Sequence, residues 1–235
     1  MKPDDNSMIL PPNLHIVRHP LAQHKMTLIR DKSTGPKEFR DLVSETTLLI
    51  AVEATRDLPL KKVEIESPLA KTTGQVFDGK KVVVIPILRA GLAMISGLTN
   101  LIPNARIGHV GIERNHETHK PIDYYFKVPT KTEDKIFIVI DPMLAIGGTA
   151  ITTVDKLKNL GAKPIKFICL IAAPEGLDAF SDRHRDVNVY TAVLYEKLNS
   201  QKFIVPGLGD AVDRLFGTEY FFLTIFPHNR NLLFY

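Results

Sequence analysis

The chain has 235 residues, 44% hydrophobic and 24% charged, with a formal net charge of +4 and a sequence pI near 9.0. That is ordinary globular composition with enough chain to bury a sizeable core in one domain, and the mild basic excess suits an anionic small ligand while being too small and too spread out to argue for nucleic acid. No apolar run reaches the roughly 20 residues of a membrane span, the opening MKPDDNSMILPP lacks a secretory core, and the lone Cys169 cannot form an internal disulfide, so a cytoplasmic protein with Cys169 in its core is expected.

Residues 1–13 are polar and proline-rich and read as a loose tail. From Phe39 to Arg56, apolar residues recur at helical spacing (Phe39, Leu42, Val43, Thr46, Leu49, Ile50, Val52, Ala54), which predicts an amphipathic helix. KKVVVIPIL (Lys80–Leu88) is a short β-branched run, a strand buried on both faces. AGLAMISGLTNLI (Ala90–Ile102) predicts a helix and ARIGHVGI (Ala105–Ile112) a strand. KIFIVID (Lys135–Asp141) is a further strand, followed by a helix in TAITTVDKLKNLG (Thr149–Gly161) that a glycine closes. PIKFICLIAA (Pro164–Ala173) and DVNVYTAVL (Asp186–Leu194) complete the predicted strands. Buried strands alternating with helices predict an α/β fold around a mostly parallel central sheet flanked by helices. Ligands bind such sheets beyond the carboxyl ends of the strands, so chemistry is expected after Leu88, Ile112, Ile140 and Ala173.

The most informative junction is VIDPMLAIGGTA (Val139–Ala150), which passes from buried strand to helix. A helix start presents free N–H groups and the positive end of its dipole. Two glycines let the backbone approach a ligand closely, and Thr149 adds a hydroxyl. Asp141, at the strand end, is placed to accept hydrogen bonds from sugar hydroxyls. A phosphorylated sugar fits this arrangement. A Walker A loop does not, because Gly148 rather than lysine precedes Thr149, and the G-x-G-x-x-G dinucleotide fingerprint is absent.

This loop resembles the phosphoribosyl-diphosphate (PRPP) loop of the uracil phosphoribosyltransferase family. VIPILRAGLAM (Val84–Met94) resembles the family's diphosphate loop, GIERNHET (Gly111–Thr118) its hood segment, and FIVPGLGDAVDRLFGT (Phe203–Thr218) its uracil-binding segment. AAPEG (Ala172–Gly176) and HPLAQHKMTLIR (His19–Arg30) match as well, so the resemblance spans roughly residues 14–218, with an aromatic extension at 219–235.

The resemblance implies a type I phosphoribosyltransferase fold with a hood, converting uracil and PRPP to UMP and diphosphate in pyrimidine salvage. It implies Arg89, Arg114 and Asp210 as catalytic residues. PRPP would be held by Arg89, Arg114, Asp141, Pro142, Met143, Leu144, Ala145, Ile146, Gly147, Gly148, Thr149 and Asp210. Uracil would be read by Ile204, Gly209, Asp210 and Ala211, largely through backbone groups. Mg²⁺ is the implied cofactor, with no direct protein ligand assigned, because it binds through few carboxylates, several waters and phosphate oxygens. His116 and His119, in the polar stretch ERNHETHKP, read as solvated loop residues rather than metal ligands. The family forms dimers or higher oligomers, and some members respond to GTP, for which no site is legible here.

Three positions depart from the family's pattern. Ile146 replaces a hydroxyl residue in the phosphate loop, a loss of about 1.5–3 kcal/mol for one hydrogen bond to a charged group, or roughly ten- to a hundredfold in PRPP binding. Tyr195 stands where an acid precedes the uracil segment, and Glu113 stands beside Arg114 in place of an aromatic. Ile146 and Tyr195 leave open an alternative: a weakened or inactive member that senses uracil, UMP or PRPP.

Overall fold

The computed structural model describes residues 10–114 and 121–218. The chain begins with β1 (Leu14–Ile16), α1 (Pro20–Arg30), α2 (Pro36–Ala54) and the hairpin β2 (Lys61–Glu66) and β3 (Lys71–Val76). It continues through β4 (Val82–Leu88), α3 (Ile95–Leu101), β5 (Arg106–Ile107), β6 (His109–Arg114), β7 (Pro121–Lys127), β8 (Ile136–Ile140), β9 (Met143–Leu144) and α4 (Gly148–Asn159). It ends in β10 (Ile165–Ala172), α5 (Pro174–Arg183), β11 (Asn188–Leu194), β12 (Lys197–Leu198), β13 (Ile204–Val205) and α6 (Ala211–Phe216).

The central sheet has the order β1-β11-β10-β8-β4-β6-β7, with β5 against β4 and β9 against β10. Its pairs are parallel except β6 with β7. The continuous apolar runs of the middle strands follow from helices on both faces. Val82, Val84, Ile138, Ile140 and Leu170 point into a core closed by α1, α2, α3 and α6. Val83, Ile85, Phe137, Val139 and Cys169 point into a second core closed by α4 and α5. Full burial of each large side chain contributes about 1.5–3 kcal/mol before the entropy of ordering is set against it. Burial also pushes the Cys169 thiol up to about 12, so it stays protonated and serves packing.

The structure differs from the sequence reading in detail. Val52 is exposed, because the helix buries one stripe and Val52 lies off it. Residues Ala90–Met94 form a 3₁₀ segment before α3, pressed against the sheet: a Cβ at Gly91 would lie 2.6 Å from the Ile140 carbonyl oxygen. The strand expected over 105–112 is interrupted at Gly108, whose N–H donates to the Val84 carbonyl at 3.0 Å. Within the expected N-terminal tail, Asn13 is buried, donating to the Val187 carbonyl (2.8 Å) and accepting from the Ser181 hydroxyl (3.0 Å). The β2–β3 hairpin was not legible: its Val63 and Ile65 alternate with Lys and Glu, yet Ile65 is exposed and neither strand joins the central sheet.

Candidate active site

The carboxyl ends of β4, β8 and β10 bring three loops to one edge of the sheet. After β8 the chain turns at Asp141 and runs beside β10, where the Leu144 carbonyl accepts from the Ala173 N–H at 3.0 Å. Gly147 then takes the left-handed conformation (φ +81°), which a side chain would strain, and α4 starts at Gly148. The first N–H groups of α4 have no carbonyl partner within the helix and face the loop end. A Cβ at Gly148 would meet open space. The loop is backed by the start of α5, where a Cβ on Gly176 would run into the Ala145 carbonyl, 2.7 Å from its carbon.

Asp141 is part-buried, and loss of water around its carboxyl pushes its pKa up to about 7, against a hydrogen bond from the Met143 N–H. A desolvated carboxylate at a strand end with so little compensation is poised to gain from hydroxyl donors. Arg89 is exposed at the end of β4, at the start of the Ala90–Met94 segment. α6 packs against that same segment, which brings the 203–211 region beside the loop after β4.

In that region, β12 and β13 pair antiparallel, Lys197 with Val205 and Leu198 with Ile204. The Leu198 N–H donates to Glu175 Oε1 at 2.9 Å, tying the hairpin to α5. The chain then turns through Pro206–Gly209, and Asp210 caps α6, its Oδ1 accepting from the Val212 and Asp213 N–H groups at 2.8 and 3.1 Å. A cleft of about 300 Å³ opens here between Pro206–Asp210, Arg30 and Lys32. A larger cleft of about 620 Å³, lined by His15, Arg18, His19 and Arg56, contains none of the expected catalytic, PRPP or uracil residues, so size alone does not place the chemistry.

The family model described as "Uracil phosphoribosyltransferase" matches residues 16–218. This chain belongs to the uracil phosphoribosyltransferase family. It is 58% identical to the uracil phosphoribosyltransferase of Geobacillus sp. (strain WCH70) over 206 residues, 88% of this chain and 99% of that protein. It is 57% identical to that of Anoxybacillus flavithermus over the same share of each chain. Among solved structures it superimposes on the AQ2163 protein from Aquifex aeolicus with a TM-score of 0.83 and 33% identity, covering 87% of this chain and 98% of that one.

Of the expected site residues, Arg89 and the 141–149 loop follow the carboxyl ends of the neighbouring strands β4 and β8, and α6, which Asp210 caps and Ala211 opens, packs on the Ala90–Met94 segment. Ile146 is part-exposed in the phosphate loop. Tyr195 is nearly buried below the uracil segment, with the Arg30 guanidinium over its ring at 5.3 Å. Burial raises its phenol pKa, and its hydroxyl has no hydrogen-bond partner within the described chain. Arg114 ends β6, paired with Pro121, but its side chain and that of Glu113 lie outside what is described, as do His116, His119 and residues 219–235. Two contributors went unrecognised in sequence. Glu175 sits in the quoted AAPEG segment, but no local signal says that it reaches Leu198. Arg214 sits in the quoted DAVDRLFGT segment, but two of its carbonyl partners, Ile29 and Asp31, are remote in the chain.

Proposed function

We propose that this chain transfers the phosphoribosyl group of PRPP to uracil, releasing UMP and diphosphate. The observation that supports it most is that a glycine-rich helix start and a desolvated carboxylate follow β8, beside the loop after β4 on which α6 packs at the end of the irregular 204–211 segment. In this reading the N–H groups around Ala145–Thr149 hold the 5′-phosphate, and Asp141 accepts from the ribose hydroxyls. Arg89 forks two donors onto the diphosphate, and Arg114 joins it from the hood. Asp210 stands between the two substrates; its Oδ1 is committed to capping α6, and Oδ2 takes no hydrogen bond among the described residues.

No nucleophile is needed. The C1–diphosphate bond loosens and positive charge develops at C1; uracil N1 bonds to C1 from the opposite side and gives up its proton, while diphosphate leaves with the C1–O electron pair and can take that proton. The chain contributes orientation and fixed charge, and closure of the hood excludes competing water. Among the described residues no group of three or more His, Cys, Asp or Glu forms a metal cage. Mg²⁺ is held mostly by waters and substrate phosphates with few carboxylates, and Asp210 Oδ2, which takes no hydrogen bond among the described residues, could supply one such oxygen. When bound, Mg²⁺ neutralises charge on the departing diphosphate.

Homo-oligomerisation belongs to the same proposal, supported by the projecting β2–β3 hairpin with exposed Leu60, Ile65, Leu69 and Val76. A lone two-stranded hairpin is marginal in water. Light scattering of the purified protein tests it, and adding GTP to the activity assay tests an effector role. No helix of the described residues is long and apolar enough to cross a membrane. The deciding experiment is UMP formation from labelled uracil and PRPP with Mg²⁺. Turnover is expected; uracil or UMP binding with no turnover, in the parent and in Ile146→Thr alike, would overturn the reading.

A further inference from the structure

Arg214 lies on α6, one turn beyond the residues expected to meet uracil, yet its side chain turns back to bind three backbone carbonyls. Nη1 donates to the Leu208 carbonyl at 3.0 Å and also to that of Ile29, and Nη2 donates to the Asp31 carbonyl at 2.6 Å. The guanidinium lies over the buried Phe39 ring, 4.3 Å from its centroid. One planar fork therefore clamps the Pro206–Asp210 turn to the end of α1 and stacks on α2.

The Leu208 carbonyl is half of the Leu208–Gly209 peptide. A trans peptide is planar, so its carbonyl and the following N–H point in opposite directions. Fixing Leu208 C=O toward Arg214 fixes the Gly209 N–H away from it, on the other side of the turn. Without that anchor the peptide could rotate. Gly209 has φ +78° and, as glycine, is as comfortable with the opposite sign; Gly207 at φ +58° gives the turn a second free joint. A rotated peptide would offer a carbonyl where an N–H now points. A pyrimidine edge that alternates acceptor and donor is sensitive to that exchange, because a mismatched buried pair leaves both groups unsatisfied.

We infer that Arg214 is a positioning residue for base recognition: by holding the Leu208 carbonyl it sets the direction of the Gly209 N–H that reads uracil. This rests on the proposal that the 204–211 backbone contacts uracil. A lysine cannot replace it, since one ammonium on a flexible stem cannot span three carbonyls from two segments and lie flat on Phe39.

The test is steady-state kinetics of Arg214→Lys, Arg214→Met and Gly209→Ala, with melting temperature measured in parallel. The expected result is a rise in KM for uracil of about tenfold in the lysine variant and more in the methionine variant, with KM for PRPP changed less than about twofold. Gly209→Ala, strained at positive φ, should raise the uracil KM as well. If the Arg214 variants lower the melting temperature but leave the ratio of the two KM values unchanged, Arg214 is only structural and the inference fails. If Gly209→Ala raises the uracil KM and the Arg214 variants do not, the site reading stands and the clamp falls. If none of the three moves the uracil KM, the site reading itself is wrong and the inference goes with it. Arg214→Lys, which keeps the stem and the charge, carries the test should the methionine variant not fold.

Discussion

Gly176→Ala is the sharpest test of how the phosphate loop is held. The glycine lies in the first turn of α5 in ordinary negative-φ backbone, so alanine costs it no dihedral strain and should favour the helix. The only obstacle is steric. The new Cβ would press on the Ala145 carbonyl oxygen, 2.7 Å from the Ala145 carbonyl carbon and 2.9 Å from the Leu144 oxygen, where 3.4–4 Å is ordinary contact. All three atoms are backbone, so either the loop or the helix must move by roughly 1 Å, a misplacement that can cost about a hundredfold in catalysis. Gly148→Ala is the control in the same loop. Its Cβ meets nothing within 4 Å, so it should stabilise the fold by about 0.4–1 kcal/mol while intruding on a bound phosphate. The assay is UMP formation at varied PRPP and at varied uracil. Gly176→Ala should lose at least tenfold in kcat/KM for PRPP, and Gly148→Ala should weaken PRPP while raising the melting temperature. A Gly176→Ala enzyme with unchanged PRPP kinetics would refute the claim that α5 sets the loop's position.

Four further outcomes follow from the structure. Ile146→Thr should lower the PRPP KM by roughly ten- to a hundredfold by restoring a hydroxyl donor, and no change would mean that residue 146 does not face the phosphate. Burial pushes the Asp141 carboxyl up to about 7, and the carboxylate is the stronger acceptor from hydroxyls, so PRPP affinity, read by calorimetry, should weaken by up to tenfold per pH unit below 7. Because its folded pKa is raised, its penalty to folding grows from pH 4 to 7, so Asp141→Asn should stabilise the fold at pH 8 and have little effect at pH 4. His184 is buried beneath α4, contacting the Ile151 carbonyl at 3.2 Å and Lys158 Nζ at 3.2 Å, and burial lowers its pKa. A lowered histidine resists a proton that the unfolded chain accepts below about 6.5, so stability should fall as pH drops below that value. Denaturant titration should show that fall in the parent and a smaller one in His184→Gln.

The apolar runs of β4, β8 and β10 and the acid-glycine-glycine-threonine junction after β8 are local patterns, and each was legible because its cause is local. A strand covered on both faces must be apolar at every position, and a phosphate cradle at a helix start must carry small residues and free N–H groups. These patterns determined the α/β class and the resemblance that the family match bears out. Other features had no local cause to read. Val52 fits the helical apolar stripe by spacing but falls outside it, because neighbouring elements decide how wide a buried stripe is. The β2–β3 hairpin carries its own hydrogen bonds and no buried face, so its composition says little. Gly176 and the Ala145 carbonyl are brought together only by the β9–β10 pairing, and Glu175 reaches Leu198 only once α5 has docked. Arg214 meets Ile29 across 185 residues of chain. Sequence alone determined the family and which chemical groups the strand-end loops carry, since residue type sets chemistry. Tertiary structure decided which backbone atoms those groups hold in place, since that depends on packing between segments remote along the chain.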